Sequence, residues 1–251
     1  MSISASSDSS ETSEALSGST SSEKATTDLQ NAVIRFAGNS QDGIQTIGAF
    51  LAKLAGRSAR EVMTYMTIPS TISGGPSIFQ VHLGSGEVLS AGDESDFLIA
   101  FYQHSYDDHL AALKDGGICI YDSDHVEEIK SDHRHITHVG IPITSTTVEA
   151  IGGSARDRGK NIFVLGLVTQ LFKLKKEKLT SLIEKQLGRK GEGVLRNAML
   201  AFDSGFAYPV GDLIEQRFDL KEGEGGVSDK ITTDGNTALT LGLLAGGVRD
   251  G

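Results

Sequence analysis

Residues 33–52 read VIRFAGNSQDGIQTIGAFLA, and this stretch decides the fold. Its first five residues form an apolar run typical of a short β-strand, and from Ile44 onward apolar residues recur at helical spacing. A polar loop bracketed by glycines, residues 38–43, joins the two. A helix N-terminus presents unpaired backbone N–H groups and a partial positive charge, so this turn is a natural seat for an anionic group. Asp42 places negative charge there, and a tight turn without a ligand stays open as the alternative.

The same alternation continues along the chain. The run at 97–102 is continuously apolar, which is typical of a central strand covered on both faces in a mostly parallel sheet. The run at 77–84 alternates and predicts a half-buried strand, and Pro142 indicates an edge strand or a strand end. Strands are predicted at 33–37, 61–67, 77–84, 97–102, 118–121 and 139–143.

Helices separate or follow these strands. Ser105 and Asp108 predict a capping-box start for a helix that carries Leu110 and Leu113, and the Gly116–Gly117 pair should end it. Three more helices are predicted at 161–174, 179–187 and 194–202. This order of elements predicts an α/β fold, a three-layer α/β/α sandwich with a mostly parallel or mixed sheet.

The segments outside this pattern suggest the domain organisation. Residues 1–27 are rich in Ser and Thr and predict a disordered tail. The sandwich domain is expected at 30–210, followed by a charged, glycine-rich linker at 211–233. A helix at 235–247, capped by Asn236, begins a second domain at 234–251.

The composition excludes several classes of protein. The formal net charge is −10, from 33 acidic and 23 basic residues, and this field repels a nucleic acid backbone. The single cysteine, Cys119, excludes an internal disulfide and cannot alone ligate a cluster or a structural zinc, which suits a reducing cytoplasm. The sequence contains no uninterrupted run of about 18 apolar residues, so no membrane span is predicted. The amino terminus lacks the basic start and apolar core of a secretory signal. We therefore predict a cytoplasmic protein that binds neither nucleic acid nor membrane.

A second loop, TIPSTISGGPS at 67–77, joins the second and third strands. Its prolines stiffen it, and Gly74 and Gly75 allow another backbone or a ligand to come close. Since it leaves its strand at the same edge as the 38–43 loop, the two loops are expected to share one site. An ordinary long loop is the alternative.

Neither loop matches a nucleotide fingerprint. The dinucleotide pattern needs Gly-x-Gly-x-x-Gly and a later acidic residue, and a P-loop needs Lys after its last glycine, where this chain has Ile44. NAD and ATP binding are therefore poorly supported.

The remaining candidates are histidines and the cysteine. His133, His135 and His138, with His125 nearby, have a spacing that allows a weak metal site, but exposed loop histidines are the favoured interpretation, so no metal is predicted. Cys119 lies in an apolar strand pattern and is interpreted as an inert core thiol. No nucleophile or acid–base arrangement stands out, so no catalytic residue is assigned.

Several segments together resemble the gamma domain of the 2-oxoacid:ferredoxin oxidoreductases. In chain order they are 33–52, 67–84 (TIPSTISGGPSIFQVHLG), 96–103 (DFLIAFYQ), 160–168 (KNIFVLGLV) and 196–205 (RNAMLAFDSG). The closing GNTALTLGLLAGGV, 235–248, resembles the start of the thiamine-pyrimidine domain in fused alpha subunits of the 2-oxoglutarate enzyme.

The resemblance implies a function that the residues alone do not. In that family the assembly decarboxylates a 2-oxoacid on thiamine diphosphate, passes electrons through iron–sulfur clusters to ferredoxin, and transfers the acyl group to coenzyme A. The gamma domain lies against the thiamine-bearing domains and helps to form the coenzyme A side of the site. The implied partners are the remainder of an alpha subunit, a thiamine-binding beta subunit and ferredoxin. The residues implied to contact coenzyme A or a partner subunit are Gly38, Asn39, Ser40, Gln41, Asp42, Gly43, Ser73, Gly74 and Gly75.

Two departures qualify the resemblance. Relatives often read Gly-x-Gly-Gly-Gln-Gly or Gly-Asp-Ser-Gly-Asp-Gly in the first loop, and Gln41 replaces a glycine, which narrows the approach to the backbone. The family's Tyr-Pro-Ile-Thr-Pro segment is expected after Gly251, so the second domain and its thiamine site are expected to be incomplete, as in a fragment. A non-catalytic docking module stays open as the alternative function, and an unrelated nucleotide-binding protein as a weaker one.

Overall fold

The computed structural model describes residues 26–69, 74–131, 134–153, 159–214, 217–223 and 231–250. The strands are β1 (Thr26–Leu29), β2 (Asn31–Asn39), β3 (Glu61–Met66), β4 (Pro76–Gly84), β5 (Ser95–Ala100), β6 (Leu113–Asp122), β7 (Thr137–Ile141) and β8 (Arg217–Leu220). The helices are α1 (Ile44–Ala55), α2 (Gln103–His109), α3 (Ile143–Ala150), α4 (Lys160–Leu171), α5 (Lys176–Leu187), α6 (Glu192–Ala207), α7 (Val210–Leu213) and α8 (Gly235–Asp250).

Six strands form one mixed sheet in the order β3-β4-β2-β5-β6-β7. Strands β2, β5, β6 and β7 run parallel to one another, whereas β4 runs antiparallel to both β2 and β3. Five strands therefore end at the same side of the sheet, which we call the carboxyl edge. The predicted α/β fold with a mostly parallel or mixed sheet is confirmed.

Except at the edge strand β3, which is largely exposed, the sheet is buried on both faces. Its first face packs against α1, α4 and α6 in a large apolar cluster that includes Phe36, Phe79 and Ile99. Its second face packs against α2 in a smaller cluster that includes Leu98 and Cys119. Strand β5 contributes to both clusters, as its continuous apolar run predicts. Strand β4 was expected to be half-buried, but it is buried along almost its whole length because it lies between two strands and under α1.

Helix α4 is buried on nearly every side and crosses α6 at very short range. A Cβ atom on Gly166 would overlap the carbonyl oxygen of Phe202, and a Cβ atom on Gly205 would overlap that of Phe163. Backbones that approach this closely leave no room for a side chain. The crossing fixes α4 under the sheet, with Lys160 at the carboxyl edge.

The prediction for α2 is wrong in its boundaries. The helix begins at Gln103, directly after the extended residue Tyr102, rather than at Ser105. It ends at His109, and Leu113 is the first residue of β6. Only two residues separate the end of β5 from the first residue of α2, so the position of β5 sets the start of α2 and the local capping signal does not.

The Gly116–Gly117 pair lies inside β6 rather than before it. Gly116 has a φ of 72°, in the left-handed region, and the β5–β6 register shifts between Ser95 and Phe97. Glycine permits this irregularity within a strand, so here the pair does not end an element. The other predicted strands and helices of the sandwich are confirmed, with Pro142 directly after the edge strand β7.

The stretch predicted as a linker contains β8, which the sequence analysis did not predict. Strand β8 pairs in parallel with β1 and buries Phe218 and Leu220 in the large cluster. Strand β1 starts at Thr26, within the predicted tail, and residues 1–25 lie outside the described part. The domain boundaries stay predictions.

Helix α8 confirms the predicted C-terminal helix, but its cap is Asp234 rather than Asn236. The backbone N–H of Thr237 donates to Asp234 Oδ1 at 2.9 Å. Four leucines of α8 are strongly exposed, with exposed fractions of 48–69%: Leu239, Leu241, Leu243 and Leu244. In the described ranges, no helix has the length and apolar character that a membrane crossing requires.

Candidate functional site

The 38–43 loop forms a tight turn at the carboxyl edge. Strand β2 ends at Asn39, a 3-10 turn covers Ser40–Asp42, and Gly43 leads into α1. Gly43 has a φ of 73°, and a Cβ atom there would overlap the side chain of Asn161. Both the backbone conformation and the space therefore require glycine at this position.

The second loop lies against the first. The N–H of Ser40 donates to the carbonyl oxygen of Gly75 at 3.0 Å. Gly74 has a φ of 78°, and a Cβ atom there would lie 3.4 Å from Gln41 Oε1. The expectation that the two loops meet at one edge is therefore met for Gly74 and Gly75, while Ser73 lies outside the described residues.

A buried polar network anchors the first loop from below. Lys160 Nζ lies 3.2 Å from Asp42 Oδ1 and donates to the Tyr102 hydroxyl at 2.6 Å. The same hydroxyl donates to Asp42 Oδ1 at 2.9 Å. The side chains of Asp42 and Lys160 are only 3% and 1% exposed. Charge-assisted bonds inside the protein hold the turn against the start of α4.

The position of Asp42 corrects one step of the sequence analysis. The carboxylate was expected to place negative charge where an anion would approach, and that expectation is wrong. The side chain turns inward, pairs with Lys160, and accepts the N–H of Asn39 at 2.8 Å. The charge on the loop is thus compensated from within, so this pair adds no net charge next to the start of α1.

Sequence reasoning missed Lys160, Asn161 and Tyr102. Asn161 Nδ2 lies 3.5 Å from the carbonyl oxygen of Gly43, so two successive residues of α4 contact the loop. The one available signal was a Lys–Asn pair at the start of an otherwise apolar helix. Such a pair normally indicates a solvated helix end, and only the fold shows that it lies under the loop.

Two histidines pack around Tyr102. The His104 ring stacks on the Tyr102 ring at a centroid distance of 5.5 Å, and the His125 ring lies at 5.2 Å. The Nε2 atoms of both histidines are buried and form no hydrogen bond within the described residues.

The histidines weighed as a weak metal site have separate partners among the described residues. His135 is exposed and lies 3.2 Å from Asp115, whereas His138 lies 3.2 Å from the Tyr106 hydroxyl. His133 lies outside the described residues, and within the described part no three metal-ligating side chains come together. Cys119 is fully buried, and burial raises the pKa of its thiol to about 12, which confirms an inert thiol.

A polar cavity of about 800 Å³ lies at the opposite edge of the sheet, between the start of β2 and the end of β4. Two of its charged lining residues are already paired, because Lys221 contacts Asp28 and Asp219, and Glu222 contacts Arg60. This cavity is separate from the two loops.

Two glycine-containing loops come together at the carboxyl edge. They are joined by the Ser40–Gly75 hydrogen bond and lie where α1 begins. Unpaired N–H groups of a first helical turn and close-approach glycines suit an anionic group such as a phosphate.

Comparisons with known proteins agree with this architecture. The family model described as pyruvate ferredoxin/flavodoxin oxidoreductase matches residues 33–208. The chain is 29% identical over 249 residues to the 2-oxoglutarate oxidoreductase subunit KorA of Mycobacterium tuberculosis, a match that covers 87% of this chain and 37% of that protein.

Solved structures give the same result. A 2-oxoglutarate:ferredoxin oxidoreductase from Magnetococcus marinus, with 2-oxoglutarate, coenzyme A and succinyl-CoA bound, matches 87% of this chain and 38% of its own, at a TM-score of 0.76 and 30% identity. The gamma subunit of a keto/oxoacid ferredoxin oxidoreductase from Geobacter sulfurreducens matches 73% of this chain and 98% of its own, at a TM-score of 0.58 and 25% identity.

This chain therefore spans little more than a third of the 2-oxoglutarate oxidoreductase chains, but it matches nearly the whole gamma subunit. The family match includes β2, the 38–43 loop and α4, which carry the anchored turn. The chain belongs to the pyruvate ferredoxin/flavodoxin oxidoreductase family.

Proposed function

We propose that this chain is the gamma-domain part of a 2-oxoacid:ferredoxin oxidoreductase alpha subunit and supplies the coenzyme A side of the site. The observation that carries the proposal is the joined pair of loops, with Ser40 bonded to Gly75 and Asp42 compensated by Lys160. This arrangement leaves backbone donors and little net charge where a phosphate of coenzyme A would lie. The Magnetococcus structure, which has coenzyme A bound, supports this choice of ligand.

The substrate proposed for the whole complex is 2-oxoglutarate. The similarity to the Mycobacterium and Magnetococcus 2-oxoglutarate oxidoreductases supports this choice. The complex would oxidatively decarboxylate it in the cytoplasm to an acyl-CoA, with ferredoxin as the electron acceptor. Thiamine diphosphate and the iron–sulfur clusters are assigned to other parts of the complex, among them a thiamine-binding beta subunit. Helix α8, apolar on all sides, is assigned to the core of the pyrimidine domain, because helices of this type are normally buried.

Titration calorimetry with coenzyme A tests the ligand. Gly43→Val should abolish binding, because Val cannot adopt the left-handed conformation and would collide with Asn161. Gly86→Val is the matched control, since a side chain there meets nothing within 4 Å. Pantetheine, which lacks the phosphates, should bind much more weakly than coenzyme A. Equal binding of coenzyme A by wild type and Gly43→Val would exclude the loop as its site.

A gain-of-affinity variant keeps the test independent of folding defects. Gln41→Gly restores the residue that relatives carry and removes the side chain next to Gly74. It should strengthen coenzyme A binding, because the ligand can then approach the backbone more closely. Weaker binding would show that Gln41 itself contacts the ligand.

Assembly is tested by purifying the chain from its own cells and determining the mass of it and of everything that co-purifies. Thiamine- and cluster-bearing partners with 2-oxoacid activity would support the proposal. A lone chain without such partners would contradict it.

A docking module without ligand contact is the second candidate. The observation in its favour is that the Geobacter gamma subunit is a separate chain of almost the same extent as the matched region. In that case the native complex would form, but neither loop variant would change coenzyme A binding by the complex.

A further inference from the structure

A second polar group lies on the other face of the sheet, away from the two loops. Arg35 on β2 is paired across the sheet with Gln80 on β4, and Gln80 is paired with Tyr65 on the edge strand β3. Residues paired in this way project from the same face of the sheet. The three side chains therefore form a row that ends at the exposed edge, where Tyr65 is 52% exposed.

The guanidinium in this row has only neutral partners among the described residues. Arg35 Nε donates to Gln80 Oε1 at 2.7 Å, and Nη2 donates to the carbonyl oxygen of Asp93 at 3.3 Å. Arg35 is only 9% exposed. Another largely buried guanidinium, that of Arg60, has a carboxylate at 3.3 Å, contributed by Glu222. Buried charges in proteins are normally paired, so the lack of a carboxylate at Arg35 needs a cause.

Two further side chains, those of Tyr65 and His109, interact electrostatically with Arg35. Burial lowers the pKa of Arg35, and the neighbouring ionisable group that opposes this effect is Tyr65. His109, at the end of α2, has a pKa lowered first by burial and then by the Arg35 charge, with His104 acting in the same direction and Asp108 in the opposite one. Arg35 and Tyr65 thus belong to one row that reaches the exposed edge strand β3, and the pKa of His109 responds to the Arg35 charge.

We propose that Arg35, together with the Tyr65 hydroxyl, forms a binding site for a carboxylate group supplied from outside this chain. A guanidinium presents paired N–H donors that match the two oxygens of a carboxylate, and one positive charge balances one negative charge. Met63, 40% exposed and two residues from Tyr65 on the same strand face, provides an apolar contact for the carbon atoms next to that carboxylate. No residue of the 38–43 loop takes part, so the site is independent of coenzyme A binding.

The test is a titration of the full chain followed by NMR of the side chains of Arg35, Tyr65 and His109. The first probe is glutarate. The second is a capped pentapeptide of valines around one glutamate, and the same peptide with glutamine is its control. Saturable shifts are expected with a carboxylate probe and not with the glutamine peptide. The pKa of His109 should rise on binding, because the carboxylate offsets the Arg35 charge.

Single substitutions test whether the NMR shifts come from carboxylate binding at Arg35 and Tyr65. Arg35→Met should weaken binding by roughly tenfold to a hundredfold, the usual loss for a hydrogen-bonded charge. Tyr65→Phe removes only a hydroxyl from an exposed ring and should weaken binding while the fold is kept. Arg57→Met, which removes one exposed positive charge elsewhere, is the control for net charge and should bind normally.

The two probes distinguish the sources of the carboxylate. Tighter binding of the glutamate peptide would assign the site to an acidic side chain of a partner protein, laid along the free edge of β3. Equal or tighter binding of glutarate would assign it to a free carboxylate. Absence of saturable shifts with both probes, or shifts that persist in Arg35→Met and Tyr65→Phe, would overturn the proposal.

Discussion

Lys160 and Asp42 form an ion pair inside the protein, with Nζ 3.2 Å from Oδ1 and both side chains almost completely buried. The pair joins the start of α4 to the turn before α1, and the Tyr102 hydroxyl bonds to both partners. A buried charge without its partner is strongly destabilising, whereas the intact pair contributes little net stability. The role of the ion pair is therefore to hold the turn in position rather than to add net stability, and substitutions at both residues can test this role.

Lys160→Met should lower the free energy of unfolding by about 3–5 kcal/mol, because the Asp42 carboxylate would stay buried without its cation. Urea denaturation measures this loss. Lys53→Met is the matched control, since Lys53 lies on the exposed side of α1 and bonds only to Gln186 among the described residues. A loss below about 1 kcal/mol, the range of exposed pairs, would mean that the ion pair is solvated.

The double variant Lys160→Met with Asp42→Asn should recover most of that stability. Asparagine carries no charge to compensate, and its single oxygen can replace the acceptor of either the Tyr102 hydroxyl or the Asn39 N–H, which bond to different oxygens of Asp42. We expect unfolding free energies within about 2 kcal/mol of wild type. Hydrogen exchange of the 39–43 amides should nevertheless stay faster than in wild type, because the link from α4 to the turn is gone. Wild-type exchange in the double variant would show that Lys160 does not position the loop.

Tyr102→Phe should cost less, about 1–2 kcal/mol, because Asp42 and Lys160 each lose one hydrogen bond and keep each other. The ring that packs against His104 and His125 stays in place. Thermal unfolding measures the change, with Tyr208→Phe as the control for loss of a hydroxyl outside the network. A cost as large as that of Lys160→Met would indicate that the hydroxyl, rather than the ion pair, holds the turn.

The parts of this site that the sequence predicts follow from strand direction. The 38–43 loop and Gly74–Gly75 come after strands whose ends share an edge, so their meeting is a matter of topology. Lys160 could not be predicted in the same way, because its partner is distant along the chain and a lysine at a helix start normally faces water. The start of α2 and the strand β8 were missed for a related reason. A local capping signal at Ser105 gave the wrong start for α2, and the charged composition at 211–233 gives no signal for β8, because long-range pairing decides both.

The crossing of α4 and α6 gives a fourth prediction. A side chain on Gly205 would overlap the carbonyl oxygen of Phe163, and neither helix backbone can move without disturbing the buried α4. Gly205→Ala should therefore destabilise the fold by about 1–3 kcal/mol or more, although alanine favours helix. Gly193→Ala, in the same helix and facing open space, should instead be neutral or stabilising by up to about 1 kcal/mol. Equal effects of the two substitutions would contradict the close crossing.

Cys119 gives a prediction about alkaline pH. Burial raises the pKa of this thiol from 9.0 to about 12 in the folded chain. The unfolded chain then loses its thiol proton at lower pH than the folded chain, so stability is fully present below pH 9 and falls as pH rises towards 12. Relative to Cys119→Ala, the unfolding free energy of wild type should fall by about 1.4 kcal/mol per pH unit in that window.

Because the alanine variant shares every other titrating group, the difference between the two proteins isolates the thiol. Denaturation at pH 8, 9.5 and 10.5 measures it, and alkylation by iodoacetamide should stay slow in the folded state over the same range. A difference that does not change with pH, or rapid alkylation of the folded chain, would mean that Cys119 reaches solvent, and the packing of the second sheet face would then have to be looser than its buried cluster implies.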